Sequence, residues 1–183
     1  MAFLSLTKKA ASALKIDIRQ VVAHKLTLPI LEEWIVDIIL PYKPDSPGIL
    51  FYNKTTGFVI TLNPAEYRLE YCLSLVRQQL ARFLVDHGFE DKLFYFIELF
   101  SIIHLCRNDD RSAAGYISQS KSQANHLLED NSEHRVDNSY DLMLCINQNY
   151  RKIKGIFSRS RTDDFLIAIG KINKDSGITM HCN

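Results

Sequence analysis

The sequence has little of the residues that break or cradle a backbone. Only 7 glycines and 5 prolines occur in 183 residues, which excludes collagen-like and low-complexity architectures. None of the glycines cluster, so the phosphate-binding loop, the dinucleotide fingerprint and the Gly-x-Ser-x-Gly elbow are all missing. The four cysteines, Cys72, Cys106, Cys145 and Cys182, include no Cys-x-x-Cys pair. Three of them sit among apolar neighbours, which predicts free buried thiols in a reducing compartment. Long apolar runs are also scarce. The densest, residues 93–106, is too short to span a membrane and contains Glu98, Ser101 and His104. The first residues lack a charged region ahead of an apolar core, so no secretory signal is expected. A single cytoplasmic domain over residues 1–183 follows, with a flexible tail from 174.

What is present is an ordinary globular composition, 46% hydrophobic and 23% charged, with 22 basic against 21 acidic residues. A net charge of +1 excludes a surface that is basic everywhere. The β-rich runs 49–53 and 58–62, joined by Lys54-Thr55-Thr56-Gly57, predict a β-hairpin. Asn63-Pro64-Ala65-Glu66 reads as a helix start, and Gly88 as its stop. The stripe Leu69, Leu73, Val76, Leu80 and Leu84 predicts an amphipathic helix over 64–87. Thr7 caps a short helix, and residues 34–40 form a strand with Asp37 on its open side. The segment 41–48 holds three prolines and excludes a continuing central strand. Residues 93–106 are apolar almost all round, and periodicity does not decide between a buried helix and buried strands; a short helix or irregular piece near 93–99, then a strand at about 100–106, is preferred. Helices are expected over 112–129 and over 139–147, the latter capped by Ser139. Residues 158–164 read as loop, and 165–169 as a last strand or a helical turn. The fold class is α+β, a mostly antiparallel sheet with helices packed on it.

Catalytic constellations are weak. His104-x-Cys106 places two donors on one side of a strand without further ligands, so no metal and no cofactor is expected. The doublets Asp109/Asp110 and Asp163/Asp164 read as capping and turn acids. Arg111 with Ser112 at a helix start forms a candidate anion corner, competing with an Arg111 ion pair to Asp109 or Asp110.

Charge pattern carries more. Residues 150–161 hold five cations, Arg151, Lys152, Lys154, Arg159 and Arg161, with no acid and with Tyr150 and Phe157 interleaved. Lys8 and Lys9 lead a second basic stretch. Residues 129–141 oppose them with five acids and one arginine. Such segregation predicts a charged binding surface.

Taken in order, Thr7-Lys8-Lys9, Trp34 with Asp37, the hairpin with Asn53 and Thr56, and Arg111-Ser112-Ala113-Ala114-Gly115 resemble an uncharacterised family of small bacterial and phage proteins. That family is catalogued as a domain of unknown function, and the resemblance covers roughly residues 1–130. It implies α+β architecture and a bacterial or mobile-element origin, and it supplies no catalytic residue. The chain departs from the family pattern in its greasier 93–106 stretch and its basic C-terminal segment. The leading expectation is a non-enzymatic binding or inhibitory accessory protein with a protein partner. The alternatives are a nucleic-acid-binding protein using 150–161 and an enzyme acting on a phosphorylated small molecule.

Overall fold

A computed structural model of the chain describes residues 1–21, 29, 31–43, 46–108, 113–128, 136, 138–148, 150–153 and 156–175. Strand β1 (Ala2–Leu6) leads into helix α1 (Lys8–Ala13), which returns to β2 (Glu33–Lys43). Strands β3 (Ser46–Asn53) and β4 (Val59–Leu62) follow as a meander. Helices α2 (Leu69–Asp86) and α3 (Leu93–Leu99) then cross to β5 (Ile103–Arg107). The chain continues through α4 (Ala114–Leu128), α5 (Ser139–Asn147), β6 (Tyr150–Ile153), β7 (Ile156–Ser160) and α6 (Arg161–Asp175).

The main sheet has the order β4-β3-β2-β1-β5. The predicted hairpin is present, with Ile49 opposite Leu62 and Tyr52 opposite Val59. Its turn is closed by Asn53, whose Oδ1 accepts from the Thr56 N–H at 3.0 Å and from the Thr56 hydroxyl at 2.9 Å. Gly57 takes a φ of +75°, a conformation in which an L side chain is strained. The sheet is mixed rather than mostly antiparallel, because β1 pairs parallel with both β2 and β5. Meander strands are joined by local turns that the sequence reveals. The parallel pairs are joined by crossovers, which leave no local mark.

The sheet is covered on both faces. Alternation sends Leu4, Leu6, Trp34, Val36, Ile49, Phe51, Ile60 and Leu62 to one side, against α1, α2, α3 and α6. Ile35, Ile39, Leu50, Tyr52 and Val59 point the other way, against α4 and α5. Trp34 is fully buried, and its indole N–H donates to the Leu31 carbonyl at 2.8 Å.

Several expectations need correction. Helix α2 begins at Leu69 rather than 64. Residues 63–68 are instead held by a hydrogen bond from the Tyr67 hydroxyl to the Pro47 carbonyl at 2.5 Å. Its end is as predicted: the Phe89 and Gly88 N–H groups bond back to Leu84 and Val85 at 2.8 and 3.1 Å, a Schellman closure with Gly88 at φ +73°. Strand β2 runs through Pro41 to Lys43. Strand β1 pairs only with Glu33–Val36, and the β2–β3 register breaks between Ile39 and Lys43, so Pro41 lies where a missing ladder donor is tolerated. Asp37 is buried, not open. The cap of α5 is Asn138, whose side chain accepts from the Asp141 N–H at 2.9 Å, rather than Ser139. The stretch 93–106 divides into helix and strand as preferred.

The largest correction is α6. Residues 158–164 are not loop: β7 ends at Ser160 and α6 starts at Arg161 and runs to Asp175, past the predicted onset of a tail. Phe165 is fully buried and stacks on Phe58 with ring centroids 4.0 Å apart, beside Trp34, Phe83 and Phe96. Ser160 and Asp163 cap the helix reciprocally: the Asp163 N–H donates to the Ser160 hydroxyl at 3.0 Å and the Ser160 N–H to the Asp163 carboxylate at 3.2 Å.

Candidate functional site

Strands β1 and β5 lie side by side and run parallel, yet the helices that follow them diverge. Helix α1 packs on one face of the sheet and α4 on the other. In open α/β sheets such a divergence leaves a crevice beyond the carboxyl ends of the two strands, the usual place for a ligand. Here β1 delivers Thr7, Lys8 and Lys9, and β5 delivers Asn108, whose N–H donates to the Leu6 carbonyl at 3.1 Å. Strand β2 contributes Asp37 at the same level, since the Thr7 N–H bonds to the Val36 carbonyl at 3.0 Å.

Asp37 organises this end of the sheet. Its Oδ1 accepts from the Thr7 hydroxyl at 2.7 Å and from the Ile38 N–H at 2.8 Å, and its Oδ2 accepts from Lys121 Nζ of α4 at 2.9 Å. The Thr7 oxygen in turn accepts from the Ala10 N–H at 3.2 Å, capping α1. One carboxylate therefore ties α1, β2 and α4 together and is neutralised by Lys121.

Lys8 and Lys9 are exposed beside it. With Ser12, Ala13, Ile38 and Pro47 they line an open depression of about 430 Å³. Neither lysine is ion-paired among the described residues. The arrangement joins an apolar floor to a cationic rim.

The other predicted site residues fall elsewhere. Tyr150, Arg151, Lys152, Phe157 and Arg159 lie on β6 and β7, which form a separate two-stranded antiparallel sheet. Lys154 lies outside the described residues, as do Asp109, Asp110, Arg111 and Ser112. Arg161 does not belong to a binding surface: its side chain is buried at 2% exposure, and its guanidinium donates to the Ser120 hydroxyl at 2.7 Å. His104 stacks on Phe3 at 4.9 Å. No group of three His, Cys, Asp or Glu side chains able to hold a metal occurs among the described residues. No helix among them is long and apolar enough to cross a membrane.

Sequence reasoning missed two polar devices. The side chain of Asn147, fully buried, pairs with the backbone of Val59 as a neighbouring strand would. It accepts from the N–H at 2.8 Å and donates to the carbonyl at 2.6 Å. The Tyr140 hydroxyl donates to Asp86 at 2.5 Å, with the Arg82 guanidinium 3.8 Å over the tyrosine ring, beside a cleft of about 350 Å³ between α2 and α5. Burial first, and then the Asp86 carboxylate, hold the Tyr140 phenol well above its usual range. Partners 88 and 54 positions apart leave no local pattern to find.

The sequence matches the family described as "Domain of unknown function (DUF6933)" over residues 3–158. The chain belongs to DUF6933. The match takes in the main sheet, the Lys8–Lys9 depression and most of the β6–β7 ribbon, and it stops before α6. No curated protein and no solved structure matches the chain.

Proposed function

We propose that this DUF6933 member is a non-enzymatic binding protein, an accessory or inhibitory factor of bacterial or mobile-element origin, that grips an acidic protein partner at the Lys8–Lys9 rim. The observation that carries this reading is the pairing of two exposed, adjacent lysines with an open apolar depression floored by Ala13, Ile38 and Pro47. Protein interfaces combine an apolar centre with a polar rim in this way. Lysines left in solvent add attraction and orientation rather than deep affinity. Asp37, which binds the Thr7 cap of the same helix, is occupied by Lys121 and Thr7.

The test is capture from a bacterial lysate at 50 mM salt, with the chain and its K8E/K9E variant immobilised side by side. The reading expects one acidic protein near stoichiometry on the first and at least tenfold less on the second. Equal recovery on both columns, or none on either, contradicts it.

A further inference from the structure

We infer that β5 is the edge at which two copies of this chain join their main sheets into one, separate from the Lys8–Lys9 rim and resting on different observations. Strand β5 ends the sheet on its side and is paired there with β1 alone. The opposite edge is closed: at β4 the Asn147 side chain takes both the N–H and the carbonyl of Val59.

The parallel ladder decides which backbone groups of β5 stay open. The Ala2 N–H donates to the Ile102 carbonyl at 2.9 Å and the Asn108 N–H to the Leu6 carbonyl at 3.1 Å. Between those two bonds His104 and Cys106 turn their polar groups to β1, and Ile103 and Leu105 turn theirs outward. No described residue bonds to the outward groups of Ile103 and Leu105. Such an edge is a template for another strand, and natural sheets blunt it with lysine, proline or a bulge. The strand Ile-His-Leu-Cys-Arg has neither lysine nor proline, and its register with β1 is unbroken.

Apolar side chains collect beside the same edge. Among the described residues four large ones are more than half exposed: Met1, Phe94, Ile97 and Ile102. Met1 adjoins Ile102 through the Ala2 bond, and Phe94 and Ile97 lie on α3, the helix that feeds β5. Helix α3 packs on the sheet face that carries Ile103 and Leu105. At roughly 100 Å² each, the four offer about half of the ~800 Å² that each partner buries in a standard interface.

The occupant is a second copy because β5 complements itself. Antiparallel pairing about a two-fold axis sets Leu105 opposite Leu105, and each satisfies the outward N–H and carbonyl of the other. Ile103 of either copy then faces Arg107 of the other, so no cation opposes a cation. The same axis carries Arg107 towards the α3 end of the second copy, where Glu98 is exposed. Both α3 helices fall on one face of the joined sheet, with Phe94 and Ile97 available to cover each other.

The experiment is sedimentation equilibrium of the full chain between 1 and 100 µM, joined to oxidative cross-linking. The chain is expected at twice 21.1 kDa, and F94E/I102E, changed only at exposed positions, is expected to raise the dissociation constant at least tenfold. Paired residues that exchange both bonds have Cα atoms about 5.5 Å apart, within the span of a disulfide. Leu105→Cys in a Cys182→Ser background is therefore expected to form a covalent dimer, and Gln78→Cys on α2 is not. Circular dichroism and the melting midpoint check that each variant is folded; should Leu105→Cys misfold, F94E/I102E still decides. Three results overturn the inference. They are a monomer at every concentration, which leaves the edge to a strand of another protein, a dimer that folded F94E/I102E does not weaken, and cross-linking of folded Leu105→Cys no greater than that of Gln78→Cys.

Discussion

The hydroxyl of Thr7 donates a 2.7 Å hydrogen bond to the carboxylate of Asp37, thirty residues further along the chain. The same carboxylate holds Lys121 from the opposite side of the sheet. A residue that caps a helix on one face is thereby coupled to a helix on the other. Thr7→Ala removes both the cap and this bond and is expected to cost about 1–2 kcal/mol. Asp37→Ala leaves Thr7 and the largely buried Lys121 ammonium without their acceptor and is expected to cost about 2–3 kcal/mol. In a denaturant double-mutant cycle the two changes should couple by at least 0.5 kcal/mol. Strict additivity would show that the bond carries no energy.

Asn147 stands in for a sixth strand at the β4 edge. Its replacement by Ala strands the Val59 N–H and carbonyl in the core, with an expected loss of about 2–4 kcal/mol. Amide hydrogen exchange at Val59 should accelerate by at least tenfold while exchange at the core of β1 changes only through global stability. Unaltered exchange at Val59 would remove Asn147 from this role.

Helix α6 lies past the end of the family match, yet it fills the core. Phe165→Ala deletes a ring in contact with four aromatic neighbours, Phe58, Trp34, Phe83 and Phe96, and is expected to cost about 3–5 kcal/mol. Truncation after residue 160 should yield a chain that binds a hydrophobic dye and lacks a cooperative melt. A truncated chain that melts like the full one would show that α6 is an appendage.

Alkaline pH should destabilise the fold. Burial holds the Cys72 thiol up to about 11 and raises Cys106 and Cys145 as well, and the Tyr140 phenol is raised by burial and Asp86. In the unfolded chain a thiol ionises near 8.5. Raised native values mean that this stability is complete below about pH 8.5 and is lost as pH climbs towards 11, with Cys72 contributing no more than about 3 kcal/mol. Urea midpoints measured from pH 7 to 10.5 should be flat to about 8.5 and then fall. A flat profile throughout would mean that these groups titrate alike in both states.

Much of the architecture is legible in the sequence, and the part that is not has a physical reason. The hairpin, the stripe of α2, the Gly88 stop, the Thr7 cap and the division of 93–106 all rest on neighbours within a few positions. The parallel pairing of β1, the burial of Asp37 and the anchoring of Asn147 depend on residues 30 or more positions away. The start and length of α6 escaped because Ser158-Arg159-Ser160-Arg161 has loop-like composition, so only a strand or helical turn at 165–169 is legible around Phe165 and Ile169. For the site, Lys8 and Lys9 are visible as charge, but the depression they border is made by Ile38 and Pro47 from other elements. Arg161 misleads, because a cation in a basic run is here taken into the core.

The most direct test of the binding account is the affinity of the captured partner for the chain and for K8E/K9E, measured by calorimetry at 50 and 200 mM salt. A rim of two solvated lysines predicts that charge reversal weakens binding at least tenfold at 50 mM and that the difference shrinks at 200 mM as screening rises. An affinity that K8E/K9E leaves unchanged at both salt concentrations would contradict the account.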